Sequence, residues 1–310
     1  VVYRHTAEQG VAEFIVTGRT DTELHYTLPG YLAGRIDWVG LALMNPGDGE
    51  ASATLTAFHA DGAILGRSTV IVAARERVAA MLADFFPGVD AGRVDRVRVV
   101  SDRPLCGCEI SGSGLARLLF MPATGPGTGA ARRCLPHVVT DFPGVWENYL
   151  VLDNPADERA LPVLHLCAAG RSVVDEELSV PAQSTRVVDL AAYAGWGADS
   201  GWLSGCPPAL KARLSYVATV SGGIAEYGLD LAEAAELTFQ FPRSGGGDFD
   251  WHGLALYNPG DADNTVILKA FRDGQEVDRE LVVVPAGARI SGLLHAGAGI
   301  ERVLASGDAP

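Results

Sequence analysis

Apolar and polar residues alternate along most of this chain, and Gly, Pro, Asn and Asp break the alternation roughly every eight to twelve residues. Alternation places successive side chains on opposite faces of a strand, so each run predicts a short strand with one buried face. Ala53-Thr-Leu-Thr-Ala-Phe58 and Val266-Ile-Leu-Lys-Ala-Phe271 are such runs, followed by turns at Asp61-Gly62 and Asp273-Gly274. One segment differs. Arg75-Glu-Arg-Val-Ala-Ala-Met-Leu-Ala-Asp-Phe-Phe86 carries apolar residues at Val78, Met81, Leu82 and Phe85, a helical spacing stopped by Pro87-Gly88. It predicts a helical turn closing one end of a sandwich.

The strand pattern repeats. Trp38-Val-Gly-Leu-Ala-Leu-Met-Asn45-Pro46-Gly47 returns as Trp146-Glu-Asn-Tyr-Leu-Val-Leu-Asp-Asn154-Pro155-Ala156 and as Trp251-His-Gly-Leu-Ala-Leu-Tyr-Asn258-Pro259-Gly260. The interval is roughly 105 residues, which signals a repeat architecture. The expected fold is all-β: three tandem Ig-like β-sandwich repeats over residues 23–125, 131–232 and 235–310, in a pseudo-threefold arrangement.

The ends of the chain differ from this frame. The third repeat lacks a final strand, while Gly10-Val-Ala-Glu-Phe-Ile-Val16 matches Gly223-Ile-Ala-Glu-Tyr-Gly-Leu229. Residues 1–22 therefore read as a strand that completes the third repeat, in the same chain or in a neighbour. Completion in a neighbour would build a filament by strand donation. A third reading makes the chain a slice of a longer array.

Composition narrows the function. The net charge of −14 and pI near 4.9 oppose a phosphate backbone, so nucleic acid is not an expected partner. No run of about 18 apolar residues offers a transmembrane helix. The chain opens on Val1 without a signal-peptide pattern, which reads as a mature product or an excised piece and favours export. Cys106, Cys108, Cys134, Cys167 and Cys206 do not recur between repeats, so they read as small buried residues, with a bridge from Cys134 or Cys206 as the alternative.

The word Gly-Leu-Ala-Leu-x-Asn-Pro-Gly, with its downstream strand and Asp-Gly turn, resembles a β-sandwich repeat common in bacterial secreted and cell-surface proteins. The second copy departs most, with Asn148-Tyr149 for Gly-Leu and Ala156 for glycine. The resemblance implies a scaffold, spacer or adhesion unit, extracellular or at the cell surface, with the periplasm as the alternative. It brings no catalytic residues.

Neither a nucleophile elbow, a His-Glu-x-x-His word, a P-loop nor a dinucleotide fingerprint occurs, and no Ser/His/Asp trio is visible. The expected protein is non-catalytic and without a cofactor, with other protein subunits or surface glycans as partners. Asp248, Asp250 and Asp261 stand in acidic loops where calcium is the alternative to plain turn chemistry. Trp38, Trp146 and Trp251 are expected core plugs. Trp196 and Trp202 lie in the segment Gly195–Pro208, which reads as a long loop peculiar to the second repeat and as the ligand-facing part of the chain. Aromatic loops make a carbohydrate-binding module the runner-up function. A hydrolase would require converging carboxylates in a polar pocket.

Overall fold

The computed structural model describes residues 2–7, 10–15, 20–28, 30–32, 34–113, 117–122, 132–139, 146–220, 223–231, 238–242, 253–272, 274–293 and 302–307. The fold is all-β, with several sheets. It opens on a hairpin of β1 (Val2–Ala7) and β2 (Gly10–Ile15).

The next stretch holds β3 (Asp21–Thr27), β4 (Trp38–Met44), β5 (Ala51–Phe58), β6 (Ile64–Val72), β7 (Arg77–Met81), the short helix α1 (Leu82–Phe85), β8 (Arg96–Ser113) and β9 (Arg117–Pro122). The first half of β8 pairs with β3 and β5, and β6 extends that sheet. The second half of β8 pairs with β4 and β9, and β7 extends the other sheet. One long strand thus serves both layers. Leu24 and Tyr26 of β3, Leu41 and Leu43 of β4, Leu55 of β5 and Val97 and Val99 of β8 fill the space between the layers. Their spacing of two explains why β-structure wins here: each strand turns its apolar set inward.

The helical reading of residues 75–86 is corrected. Only Leu82–Phe85 is helical, whereas Arg77–Met81 is a strand paired with β4. Val78, Met81, Leu82 and Phe85 do not share one helical face. Val78 is half-buried and Met81 exposed on the strand, while Leu82 and Phe85 are buried on the helix. The edge of β4 offers ladder partners that an isolated turn of helix cannot match.

The second stretch holds β10 (Arg132–Leu135), β11 (Trp146–Asn154), β12 (Val163–Ala168), β13 (Arg171–Glu177), β14 (Ser184–Asp189), β15 (Ser200–Ser204), β16 (Lys211–Val220) and β17 (Gly223–Asp230). Its sheets run β10-β15-β12-β13 and β14-β11-β16-β17. Here the long strand is split. β15 and β16 correspond to the two halves of β8, and Gly205, at φ 64°, lies between them. Leu150, Leu152, Leu164, Leu166, Leu203 and Leu214 form the core.

The third stretch holds β18 (Thr238–Pro242), β19 (Gly253–Tyr257), β20 (Asn264–Arg272), β21 (Gln275–Val284), β22 (Arg289–Leu293) and β23 (Arg302–Gly307). Its first sheet, β18-β23-β20-β21, follows the order of β10-β15-β12-β13. Its second sheet consists, among the described strands, of β19 and β22.

Candidate functional site

The segment expected to be a ligand-facing loop is partly a strand. Ser200-Gly-Trp-Leu-Ser204 forms β15, flanked by β10 and β12. Gly201 makes this possible, because a Cβ there would run into the carbonyl of His165. Leu203 points into the core, so Trp202 and Ser204 face outward with His165 of β12.

Pairing aligns Cys134, Trp202, His165 and Asp175 in one row across four strands. Trp202 lies between two partners. The His165 ring stacks on it at 4.8 Å between centroids, and the Arg132 guanidinium lies 4.5 Å from its ring centre. Because β10 and β12 flank β15 on opposite sides, both faces of the indole are covered.

His165 Nδ1 lies 2.5 Å from Asp175 Oδ1, and its Nε2 lies 2.8 Å from Ser204 Oγ. The carboxylate accepts only, so Nδ1–H donates to it and Nε2 accepts from the serine hydroxyl. The hydrogen bond from His165 holds the Asp175 carboxyl below its ordinary value. Serine, histidine and aspartate thus stand in the order of a nucleophile, a base and its orienting acid. An oxyanion would still need N–H groups aimed at it. Ser204 belongs to a strand paired on both edges, where backbone N–H groups lie in the sheet plane and serve the ladder. The two hydrogen bonds hold the His165 ring where it stacks on Trp202.

This trio was missed in the sequence because Ser204 lies far from His165 along the chain. Hairpin spacing alone does not reveal the pair: His165 lies four residues before the Ala169-Gly170 turn and Asp175 five after it, and the register shift between Leu166 and Cys167 sets them face to face.

The other expected residues scatter. Trp196 ends a 3-10 turn, Leu190–Trp196, and is 60% exposed. Asp261 is exposed in the turn after Pro259. Its neighbour Asp263 accepts the Ala286 N–H at 3.0 Å, a turn-capping role. Asp248, Asp250 and Trp251 lie outside the described residues. Trp38 and Trp146 are half-buried at the starts of β4 and β11, which corrects the core-plug expectation. All five cysteines are free thiols, and burial pushes Cys108 and Cys167 up to about 11, so neither is a ready thiolate.

A second polar cluster joins the first sandwich to the second. Arg96 and Asp153, both fully buried, approach to 3.4 Å. Arg96 also donates to the Gln183 carbonyl at 3.0 Å and lies over the Phe58 ring at 4.2 Å. His25 is buried beside Glu23 (2.8 Å) and Asp153 (3.7 Å). Burial and the neighbouring Lys211 drive the His25 imidazole down to about 3, against the pull of Glu23. Arg35 grips Glu147 through two hydrogen bonds of 2.9 Å nearby.

One device recurs three times. Asn45, Asn154 and Asn258 are all buried. The Asn45 amide donates to the carbonyls of Gly49 (2.7 Å) and Val72 (3.0 Å). Asn154 donates likewise to Glu158 (2.8 Å) and Val180 (3.1 Å), and Asn258 to Ala262 (2.8 Å) and Val284 (3.0 Å). Each side-chain oxygen accepts a backbone N–H two residues on. Opposite each turn stands a left-handed residue, Arg75, Gln183 or Gly287, whose N–H bonds back to Gly47, Ala156 or Gly260.

No family model matches the chain, and no curated protein matches it. Among solved structures it is similar to a β-glucuronidase from glycoside hydrolase family 2, at 10% identity and TM-score 0.15, over 67% of this chain and 23% of that one. It is also similar to a β-D-glucuronidase from Dictyoglomus thermophilum, at 8% identity and TM-score 0.16, over 79% and 44%. A third is the α-L-rhamnosidase of Streptomyces avermitilis complexed with L-rhamnose, at 11% identity and TM-score 0.19, over 94% and 43%. The chain spans less than half the length of each. Likeness at this level carries no functional argument. Among the described residues no helix is long and apolar enough to cross a membrane.

Proposed function

We propose that the protein is a non-catalytic structural or adhesive scaffold, extracellular or at the cell surface, whose partners are other protein subunits or surface glycans. In this reading three tandem β-sandwich modules stand in a pseudo-threefold arrangement, and the N-terminal segment serves the third. The observation that carries it is the threefold recurrence of the buried asparagine. The most repeated feature of the sequence closes a turn in every copy through a buried side chain. A repeat used in this way builds a frame. The covered faces of Trp202 count against a sugar platform at that residue, so a glycan-binding role would fall to the exposed Trp196.

The Ser204–His165–Asp175 trio gives the direct test. The full chain is incubated with a fluorophosphonate probe and analysed by intact mass. No adduct is expected. An adduct that disappears in Ser204→Ala would overturn the non-catalytic reading.

A further inference from the structure

In each stretch the strand that leads to the repeated asparagine lies in the second sheet, and every second residue of it faces away from the core. On β11 these outward residues include Val151 and Asp153, with Arg213 and Lys211 opposite them on β16. All four are buried, although the core of their own sandwich lies on the other side of the sheet. The first sandwich covers this face. Arg96 and His25 stand at Asp153, and Leu32 packs on Val217. The third sandwich meets the second in the same way. Tyr257, the residue before Asn258, lies beside Cys167 and Cys134, and Arg289 bonds to His137.

The corner that does the covering also recurs. Each first sheet carries a register shift just before Phe58, Cys167 or Phe271. A turn with a left-handed glycine follows, at Gly62, Gly170 or Gly274. The Gly62 turn sits against Gln183, and the Gly170 turn against Ala286 and Ala288 of the next sandwich. Each seam thus joins the corner of one sandwich to the asparagine strand of the next, which is a head-to-tail contact. One half of such a seam is left over at each end. On the first sandwich Met44 stands where Asp153 and Tyr257 stand, opposite Arg77, and the pairs Ala42–Ala79 and Gly40–Met81 continue its face. Met44 is 46% and Met81 40% exposed. On the third sandwich the Gly274 turn is exposed, and a Cβ there would meet none of the described atoms within 4 Å.

We propose that the outward face of β4 and β7 docks the Gly274 corner of the third sandwich of a second copy of this chain. This docking rests on the repeated modules of the reading above and deepens that reading, because it names the partner subunit.

The occupant follows from the two seams already formed, since the docking is a third instance of the same contact. The chemistry of the two halves agrees. Asp153 meets the cation of Arg96 beside Phe58, whereas the uncharged Met44 meets Phe271, a thioether against an aromatic ring. Methionine and alanine left in water on a flat sheet face gain from being covered. The third sandwich of the same chain is not the occupant, because Met44 and the Gly274 turn are both open within one molecule. A head-to-tail contact repeated between molecules adds chains one after another.

Light scattering on the unmodified chain over a concentration series should show a mass that climbs beyond one chain. Met44→Glu should weaken that association about tenfold or more, with the far-UV spectrum unchanged because Met44 is exposed in the single chain. A mass that stays at one chain, or association indifferent to Met44→Glu, overturns the proposal. Cross-linking identifies the occupant. Glu76 and Ala288 correspond, since the carbonyl of each accepts the N–H of the local asparagine. Chains carrying Glu76→Cys, mixed with chains carrying Gly274→Cys, should join as disulfide-linked pairs that neither forms alone. The control is Gly170→Cys with Ala288→Cys in one chain, whose Cβ atoms would lie 3.3 Å apart. A control bond without mixed pairs sinks the docking alone; no control bond sinks the modular reading too. A chain carrying both Glu76→Cys and Gly274→Cys that bonds only to itself overturns the second copy as occupant.

Discussion

Asn154 shows how one side chain can hold a turn. Its amide donates to Glu158, Val180 and Pro181 at 2.8, 3.1 and 3.0 Å, and its oxygen accepts from Ala156. Asn154→Ala removes these bonds together, although the Val180 carbonyl keeps the Ala160 N–H and the Pro181 carbonyl keeps the Ser184 hydroxyl. A hydrogen bond contributes about 0.5–1.5 kcal/mol net, so the variant should lose roughly 1–3 kcal/mol in urea denaturation. Asn258→Ala should behave in kind, since the same bonds recur there. Equal stability of variant and parent would show that the bonds add nothing.

His25 has a consequence in pH. Its folded pKa of about 3 lies below the ordinary 6.5, because burial and Lys211 disfavour the charge. Between these values the unfolded chain binds more protons, so stability is complete above about pH 6.5 and falls as pH drops toward 3. By pH 4 the loss is on the order of 3 kcal/mol, at 1.36 kcal/mol per unit. His137, lowered to about 4 mainly by burial, adds a loss of the same sign. His25→Gln should flatten the wild-type decline between pH 7 and 4 by that first amount. An unchanged slope would place the loss elsewhere.

At the scale of elements, glycines distinguish turns that only bend from turns that touch. Gly62 and Gly88 both have positive φ, 90° and 84°. A Cβ at Gly88 meets nothing within 4 Å, while at Gly62 it would lie 2.5 Å from the Gln183 carbonyl of the next sandwich. Both alanine variants strain the backbone by about 1 kcal/mol. Gly62→Ala should lower Tm clearly further, because it also pushes the two sandwiches apart. Equal effects would mean that the seam yields freely.

The elements were legible where turn chemistry punctuates them. Asn-Pro-Gly, Asp-Gly and the alternating runs located β4, β5, β11, β12, β19 and β20, since these residues supply turns by local chemistry alone. The strand Arg77–Met81 was read as helix because its apolar residues fit both periods over so short a span. β15 was read as loop because its glycines look like breakers, whereas Gly201 is required by the close approach of β12. The trio of Ser204, His165 and Asp175 joins three strands, and only the sheet order brings them together. Arg96 and Asp153 were silent in the sequence, as a buried ion pair between sandwiches has no periodic signature.

At the scale of the whole molecule, the proposed architecture is a set of sandwiches joined by similar seams. A net charge of −14 spreads mutual repulsion over such a surface. The first two sandwiches are tied by charge, with the buried Arg96 against Asp153 and the partly exposed Arg35 against Glu147. The third approaches the second through Arg289 at His137 and through Tyr257, whose phenol is pushed up by burial beside Cys167 and Cys134. The seams join units that each have a core of their own. Such units unfold as separate cooperative blocks when pulled from the chain ends.

Single-molecule force extension therefore tests the central claim most directly. Three unfolding steps are expected, two releasing roughly 100 residues each and one roughly 75, or on the order of 36 and 27 nm of contour at about 3.6 Å per residue. One step that releases the whole chain, or steps of unrelated lengths, would contradict that claim.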